Sequence, residues 1–317
     1  MRFAAALLLA LAAIQAAAAD AYPPVKARLE PQRVSAHAWF VQGGTGVASA
    51  ENEGFNSNAG FVVTGEGVVV IDALGTPSLG AALLAAIRRV TPQPVKRVIL
   101  THYHADHFYG LAPFKAAGAE VWAHEAARAY LASGEPERRR AQRANDLFPW
   151  VAPDMPIVPA DRWLGEHTAF TLGGVRFEVD HMGPAHSPED VIIVLPDEGV
   201  IFAGDILFAG RIPFVGDADS QAWLAKIDQL LAMHPRVMVT GHGAISRDPA
   251  RDLTLTREYL AYLRKTMGQA AEDLTPFDEA YAKTDWSRFS SLPAFEAANR
   301  INAYATYLRM EGELLKR

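Results

Sequence analysis

Within six residues, His102-Tyr103-His104-Ala105-Asp106-His107, the chain sets three imidazoles and a carboxylate directly after the apolar run Val98-Ile99-Leu100. Imidazole nitrogen and carboxylate oxygen are ligands for zinc and related divalent ions. The run predicts a buried strand, with His102 opening the loop that leaves its end. Successive side chains in extended backbone point to opposite faces, so His102 and His104 can point the same way. Past the turn, Asp106 and His107 can address a second point close by. The cluster therefore reads as part of two adjacent metal positions, neither complete.

Three further metal-capable residues follow strand-like runs. His186 lies beyond Val175-Arg176-Phe177-Glu178-Val179, Asp205 ends Val200-Ile201-Phe202-Ala203-Gly204, and His242 follows Arg236-Val237-Met238-Val239-Thr240-Gly241. Flanking glycines would let backbone approach the site. A single loop histidine is ordinarily just that; the set carries the chemistry.

The pattern His102-x-His104-x-Asp106-His107 with His186, Asp205 and His242 resembles the metallo-β-lactamase-fold hydrolase superfamily over roughly residues 35–245, in its glyoxalase II-like seven-ligand form. The resemblance implies a four-layer αββα sandwich. It also implies one metal on His102, His104 and His186, another on Asp106, His107 and His242, and Asp205 bridging them. The segment Gly210-Arg211-Ile212-Pro213-Phe214-Val215-Gly216-Asp217-Ala218-Asp219-Ser220 resembles secreted members associated with quinoprotein dehydrogenase and sulfur-oxidation gene clusters.

Two such cations, expected as Zn2+ with iron or manganese as substitutes, share a bridging hydroxide whose pKa they lower. Asp106 would orient that nucleophile. The expected reaction is hydrolysis of an ester, thioester, lactone or lactam in a small molecule. Alternatives are a mononuclear iron sulfur dioxygenase using only His102, His186 and Asp205, a β-lactamase, and a non-catalytic periplasmic binding or maturation factor. β-Lactamases of this fold usually lack a carboxylate at the position of Asp205.

Supporting residues follow from the elements. Phe61-Val62-Val63-Thr64 and Val68-Val69-Val70-Ile71 predict a hairpin ended by Asp72, which resembles the family aspartate that accepts the other N–H of a ligand histidine. Asp190 starts a strand soon after His186 and is expected to hold that loop by hydrogen bonds. Residues 76–90 predict a helix capped by Thr76, with apolar positions 79, 83, 84 and 87. His124, His167 and His181 read as structural. Specificity is expected in the loops 43–58, 148–160 and 206–217, with Leu207 to Val215 either a wall of the site or packed under the C-terminal helices.

Residues 1–19 have the outline of a cleaved export signal, with one arginine, a short apolar core and small residues to Ala19. A periplasmic or secreted address follows, without a stable membrane anchor. Residues 20–247 read as the sandwich domain, and 248–317 as a helical extension packed on it. Apolar residues at 297, 301, 304 and 308 predict that the last helix buries that face. The chain has no cysteine, so it has neither disulfides nor thiolate ligands. Its formal charge of −6 and lack of a long basic run argue against nucleic acid. A homo-oligomer is compatible with the sequence.

Overall fold

A computed structural model describes residues 22–216 and 218–316; the expected export signal lies outside them. Two sheets stack face to face with helices on both outer sides, which is the αββα sandwich. The first sheet runs in sequence order: β1 (Gln32–Arg33), β2 (Ala38–Val41), β3 (Ala59–Val63), β4 (Val68–Ile71), β5 (Val95–Ile99), β6 (Glu120–His124) and β7 (Arg162–Leu164). Its first four strands pair antiparallel and the rest parallel. The second sheet has the order β12 (Val237–Gly243), β11 (Val200–Ala209), β10 (Val191–Leu195), β9 (Val175–His181) and β8 (His167–Leu172).

Period-two packing explains the layers. In β4, Val68 and Val70 join the core under the outer helices, while Val69 and Ile71 join the core between the sheets. Both faces are covered, so the strand is apolar throughout. Helix α1 (Pro77–Val90) is capped by Thr76, whose hydroxyl accepts from Leu79 N at 3.1 Å. It buries Leu79, Leu83, Leu84 and Ile87, worth about 1.5–3 kcal/mol each. The metal cluster opens helix α2 (Ala105–Phe108), which is followed by α3 (Leu111–Ala116), α4 (Ala127–Leu131) and α5 (Glu135–Leu147).

On the far side, α6 (Ser220–Ala232), α7 (Pro249–Glu272), α8 (Phe277–Lys283) and α9 (Phe295–Leu314) cover the second sheet in one apolar core. The face of α9 expected inside is the wrong one. Ala297, Ile301, Tyr304 and Leu308 are exposed, and the buried face is Ala298, Asn299, Asn302, Ala303, Thr306 and Tyr307. The polar members are drawn inward by partners. Asn302 Nδ2 donates to Pro213 O at 2.7 Å and Tyr259 Oη at 3.0 Å, and Tyr259 Oη donates to Asn299 Oδ1 at 2.9 Å. No helix among the described residues is long and apolar enough to cross a membrane.

Candidate metal centre

All seven residues singled out in the sequence meet in one place. Their ligand atoms group as His102 with His104 and His186, His102 with His107 and Asp205, and Asp106 with His107 and His242, each group within 4.8 Å. His102 and His107 flank the turn after β5, and His186 comes from the loop joining β9 to β10.

Asp205 and His242 differ from the expectation of strand ends. Strand β11 continues to Ala209 and β12 through His242. The register jumps from Gly204↔Thr240 to Phe208↔His242, so Asp205, Ile206 and Leu207 bulge opposite Gly241 alone. Such a bulge re-aims side chains without ending the strand. Gly204 supports it at φ +51, and a Cβ on Gly241 would collide with the Asp205 carboxylate. The segment from Leu207 expected as loop is therefore strand as far as Ala209.

Asp205 stands between the two triads. Its Oδ2 lies 3.4 Å from His186 Nε2, 3.3 Å from His242 Nε2 and 4.0 Å from His102 Nε2, and its Oδ1 is 3.4 Å from His107 Nε2. Asp106 Oδ2 is 3.3 Å from His242 Nε2 and 3.9 Å from His107 Nε2. His104 Nδ1 and His186 Nε2 are 2.9 Å apart. Ligands bound at about 2.0–2.2 Å to a tetrahedral ion are separated by about 3.3–3.6 Å, and the cluster spans that spacing.

The opposite ring nitrogens of three of the histidines are engaged. His107 Nδ1 is 2.9 Å from Asp72 Oδ2, His242 Nδ1 is 2.8 Å from Asn56 O, and His102 Nδ1 is 3.0 Å from Thr101 Oγ1. Nε2 of His102 and of His107 is buried with no hydrogen-bond partner. Buried polar atoms are normally paired, so these are groups waiting for a ligand. The two expected supports are in place. Asp72 also accepts from Thr101 N and Oγ1, each at 2.8 Å. Asp190 accepts from Ser187 N at 2.6 Å and Ser187 Oγ at 2.8 Å, next to His186.

Charge follows geometry. Burial disfavours a charged His107, yet Asp205, Asp72 and Asp106 outweigh it and raise its pKa to about 10; for His242, Asp205 and Asp106 overcome burial to reach about 9. Burial pushes His102 well below its ordinary value, with His107 and His104 adding to the shift. Burial would raise Asp106 and Asp205, but His107 and His242 hold both well below the carboxylate range. Positive charge is thus favoured on the side of Asp106, His107 and His242, whereas burial disfavours it at His102, His104 and His186.

Sequence reading singled out the 43–58 loop only as a possible substrate contact, and its end proves to be scaffold. Asn56 Nδ2 donates to Asp106 Oδ2 at 2.9 Å, and Ser57 Oγ donates to the Asp106 carbonyl. Asn58 fastens the sheets together beside His242, its Nδ2 donating to Thr240 O at 2.8 Å and Gly243 O at 2.9 Å while its N–H donates to Gly241 O at 2.7 Å. The signal available was the density of Asn and Ser before β3. The 148–160 loop is partly core, since Val151 and Met155 pack under α5 and the first sheet. One side of the site is aromatic: Phe208 stacks on His242 with centroids 5.3 Å apart, and Trp223 meets His186 edge-on at 5.5 Å.

A separate group, His124, Glu166 and His181, also gathers ligand-type atoms. Its two rings stack face to face, 3.6 Å apart and 11° from parallel. In-plane lone pairs of parallel rings do not converge on one ion, unlike the crossed rings of the main cluster. His181 instead braces the His186 loop, with Nε2 2.9 Å from Pro188 O.

A family model described as the metallo-beta-lactamase superfamily matches residues 52–242. The chain is 23% identical over 255 residues to a linear primary-alkylsulfatase of Pseudomonas sp., covering 69% of this chain and 48% of that protein. It is 26% identical over 193 residues to a metallo-beta-lactamase type 2 of Elizabethkingia meningoseptica, covering 59% of this chain and 69% of that one. The solved structure of a stereoselective inverting sec-alkylsulfatase from Pseudomonas sp. superposes with a TM-score of 0.70 at 20% identity, over 89% of this chain and 50% of that chain. The chain thus spans about half the length of the alkylsulfatases it matches.

Proposed function

Because the chain belongs to the metallo-beta-lactamase superfamily, we propose that it is a metal-dependent hydrolase of a small molecule, holding two divalent cations, zinc foremost. The bond is of the ester, thioester, lactone or lactam kind, with a sulfate ester added by the likeness to alkylsulfatases. A periplasmic or secreted address belongs to the same proposal. The observation that carries it is the pair of triads, His102-His104-His186 and Asp106-His107-His242, meeting at Asp205, with the distal ring nitrogens of His102, His107 and His242 already engaged.

His102, His104 and His186 would hold one cation, Asp106, His107 and His242 the other, and Asp205 both. When bound, such a pair supplies Lewis acidity and an acidified water. The chain's own residues do the rest. Asp72 and the Asn56 carbonyl fix which nitrogens of His107 and His242 face inward. Asp106 is oriented by Asn56 and is the more open of the two cluster carboxylates, 15% exposed at its side chain against 4% for Asp205. It is the group placed to accept a hydrogen bond from the attacking water and aim it. Phe208 and Trp223 shield one side.

The test is metal content of the purified protein combined with hydrolysis of an ester, lactone, lactam and sulfate ester panel. About two zincs and chelator-sensitive turnover support the proposal. One iron with no hydrolysis would overturn it in favour of a mononuclear dioxygenase on His102, His186 and Asp205, a reading that leaves the Asp106, His107 and His242 triad without a role.

A further inference from the structure

Beside the metal centre sits a buried cation that has no anion. Arg211 is only 4% exposed, its Nη1 is buried without a hydrogen-bond partner, and its Nε reaches the Ile212 carbonyl at a long 3.4 Å. Three other arginines with partly buried stems have carboxylates: Arg264 pairs with Glu313 at 2.9 Å, Arg309 with Asp219 at 2.7 Å and Arg97 with Glu120 at 3.8 Å, while the partly buried Arg140 donates its Nη1 to the Met155 carbonyl at 2.8 Å. A buried charge left unpaired is costly, and a side chain kept in that state implies a counter-ion that comes from outside.

Its place in the fold says which one. Arg211 lies two residues beyond Ala209, the end of β11, where Phe208 and Ala209 pair with His242 and Gly243. Its guanidinium is 5.8 Å from the Phe208 ring that stacks on His242. Burial lowers its pKa and the carboxylates of Asp205 and Asp106 raise it, so it lies in the field of the centre. Those carboxylates are committed to cations in the working protein and cannot serve as its partner.

The loop carrying Arg211 is also held in position. Ile212 N donates to Pro293 O at 3.1 Å, Val215 N to Asn302 Oδ1 at 2.9 Å, and Asn302 Nδ2 to Pro213 O at 2.7 Å. The backbone beside Arg211 is thus held by Pro293 and by Asn302 of α9 before any ligand arrives, which lowers the entropic cost of binding one.

We propose that Arg211 is the anion anchor of the substrate pocket, pairing with an oxyanion that the substrate carries close to the bond to be cut. The proposal rests on the hydrolase reading, and it narrows the substrate class to anionic small molecules. A guanidinium fits a carboxylate or sulfate in a bidentate pair. The oxyanion is either a separate handle on the substrate or the sulfate of a sulfate ester itself.

The experiment uses the metal-loaded protein, wild type, Arg211→Gln and Arg211→Lys, with folding checked by circular dichroism. Three esters share one leaving group: 4-nitrophenyl acetate, 4-nitrophenyl hemisuccinate and 4-nitrophenyl sulfate. Inorganic sulfate binding by calorimetry supplies a readout independent of turnover. Wild type is expected to prefer an anionic ester over acetate in kcat/KM, and Arg211→Gln to reduce that preference by about tenfold or more through KM. Arg211→Lys should retain part of it, and sulfate affinity should fall about tenfold in Arg211→Gln. Preference for hemisuccinate supports a separate handle; preference for the sulfate supports the scissile group. An unchanged preference together with unchanged sulfate affinity in Arg211→Gln would overturn the anchor. Absence of turnover on all three esters in wild type counts against the ester and sulfate ester forms of the hydrolase reading, and the anchor is then decided by sulfate affinity alone.

Discussion

In the proposed reaction Asp106 has one carboxylate and two tasks, to help hold a cation and to aim a water, and the Asn56 amide that bonds it would serve both. Replacing it by Asn keeps the shape and removes the charge. Asp106→Asn is expected to lower kcat by about 10²–10⁴, compared at equal metal content by elemental analysis of the assayed sample. Retention of wild-type kcat would remove Asp106 from the chemistry. The histidines make a second prediction. In the metal-free protein His107 is raised to about 10 and His242 to about 9. A group raised by folding contributes stability that is fully present below its unfolded value of about 6.5. That stability is lost as pH climbs through the folded values, so the stripped protein should weaken on the alkaline side. Cations displace the same protons, so zinc should bind more tightly with rising pH and release protons on binding. A pH indicator in weakly buffered solution reads the release, and its absence would contradict the assignment.

At the scale of elements, the chain was legible where one residue type does one job. The cluster after β5 announces itself because histidines and an aspartate at that spacing have few other uses. The period-two strand β4 and the Thr76-capped α1 are equally plain. Strand β11 was misread at its end, because Gly204 looks like a terminator. Its φ of +51 instead opens a bulge, and pairing with β12 resumes at Phe208. Helix α9 was misread in its orientation because hydropathy cannot see partners. Asn299 and Asn302 face inward on hydrogen bonds to Tyr259 and to the Pro213–Val215 segment, leaving Ile301 54% exposed and Leu308 46% exposed. Asn302→Ala should therefore destabilise by about 1–3 kcal/mol through the partners it strands. The double change Ile301→Gln, Leu308→Gln should stay within about 0.5 kcal/mol. Urea unfolding of both variants decides; a larger loss from the glutamine pair would mean that the face is covered after all.

For the whole molecule, the site is a joint. Its candidate ligands come from both sheets and from the loops between them, and a cation held there would bond segments more than a hundred residues apart, such as His107 and His242. Ligand binding to the folded state alone adds about 2.7 kcal/mol at a hundredfold excess over the dissociation constant. A chelator should accordingly lower the thermal midpoint, and zinc should restore it in a concentration-dependent way; a midpoint indifferent to both would show that the centre carries no fold stability. The sandwich could be inferred from the ligand pattern, whereas the fastening of its halves could not, since it depends on main-chain carbonyls that carry no mark in a sequence.

Asn58 is the clearest of those fasteners, bonded to the backbone of Thr240, Gly241 and Gly243 from the opposite sheet. Its consequence concerns how the molecule breathes. Amide protons exchange with solvent only when the structure around them opens, and the last to exchange mark the last part to come apart. With the sheets stitched at the rim of the reaction centre itself, the slowest-exchanging amides should include Asn58 and those flanking His242, while the outer loops exchange early. A site built this way is kept in register by the same opening equilibrium that keeps the protein folded, so variants that loosen Asn58 should bring deuterium in around His242 long before they unfold the chain.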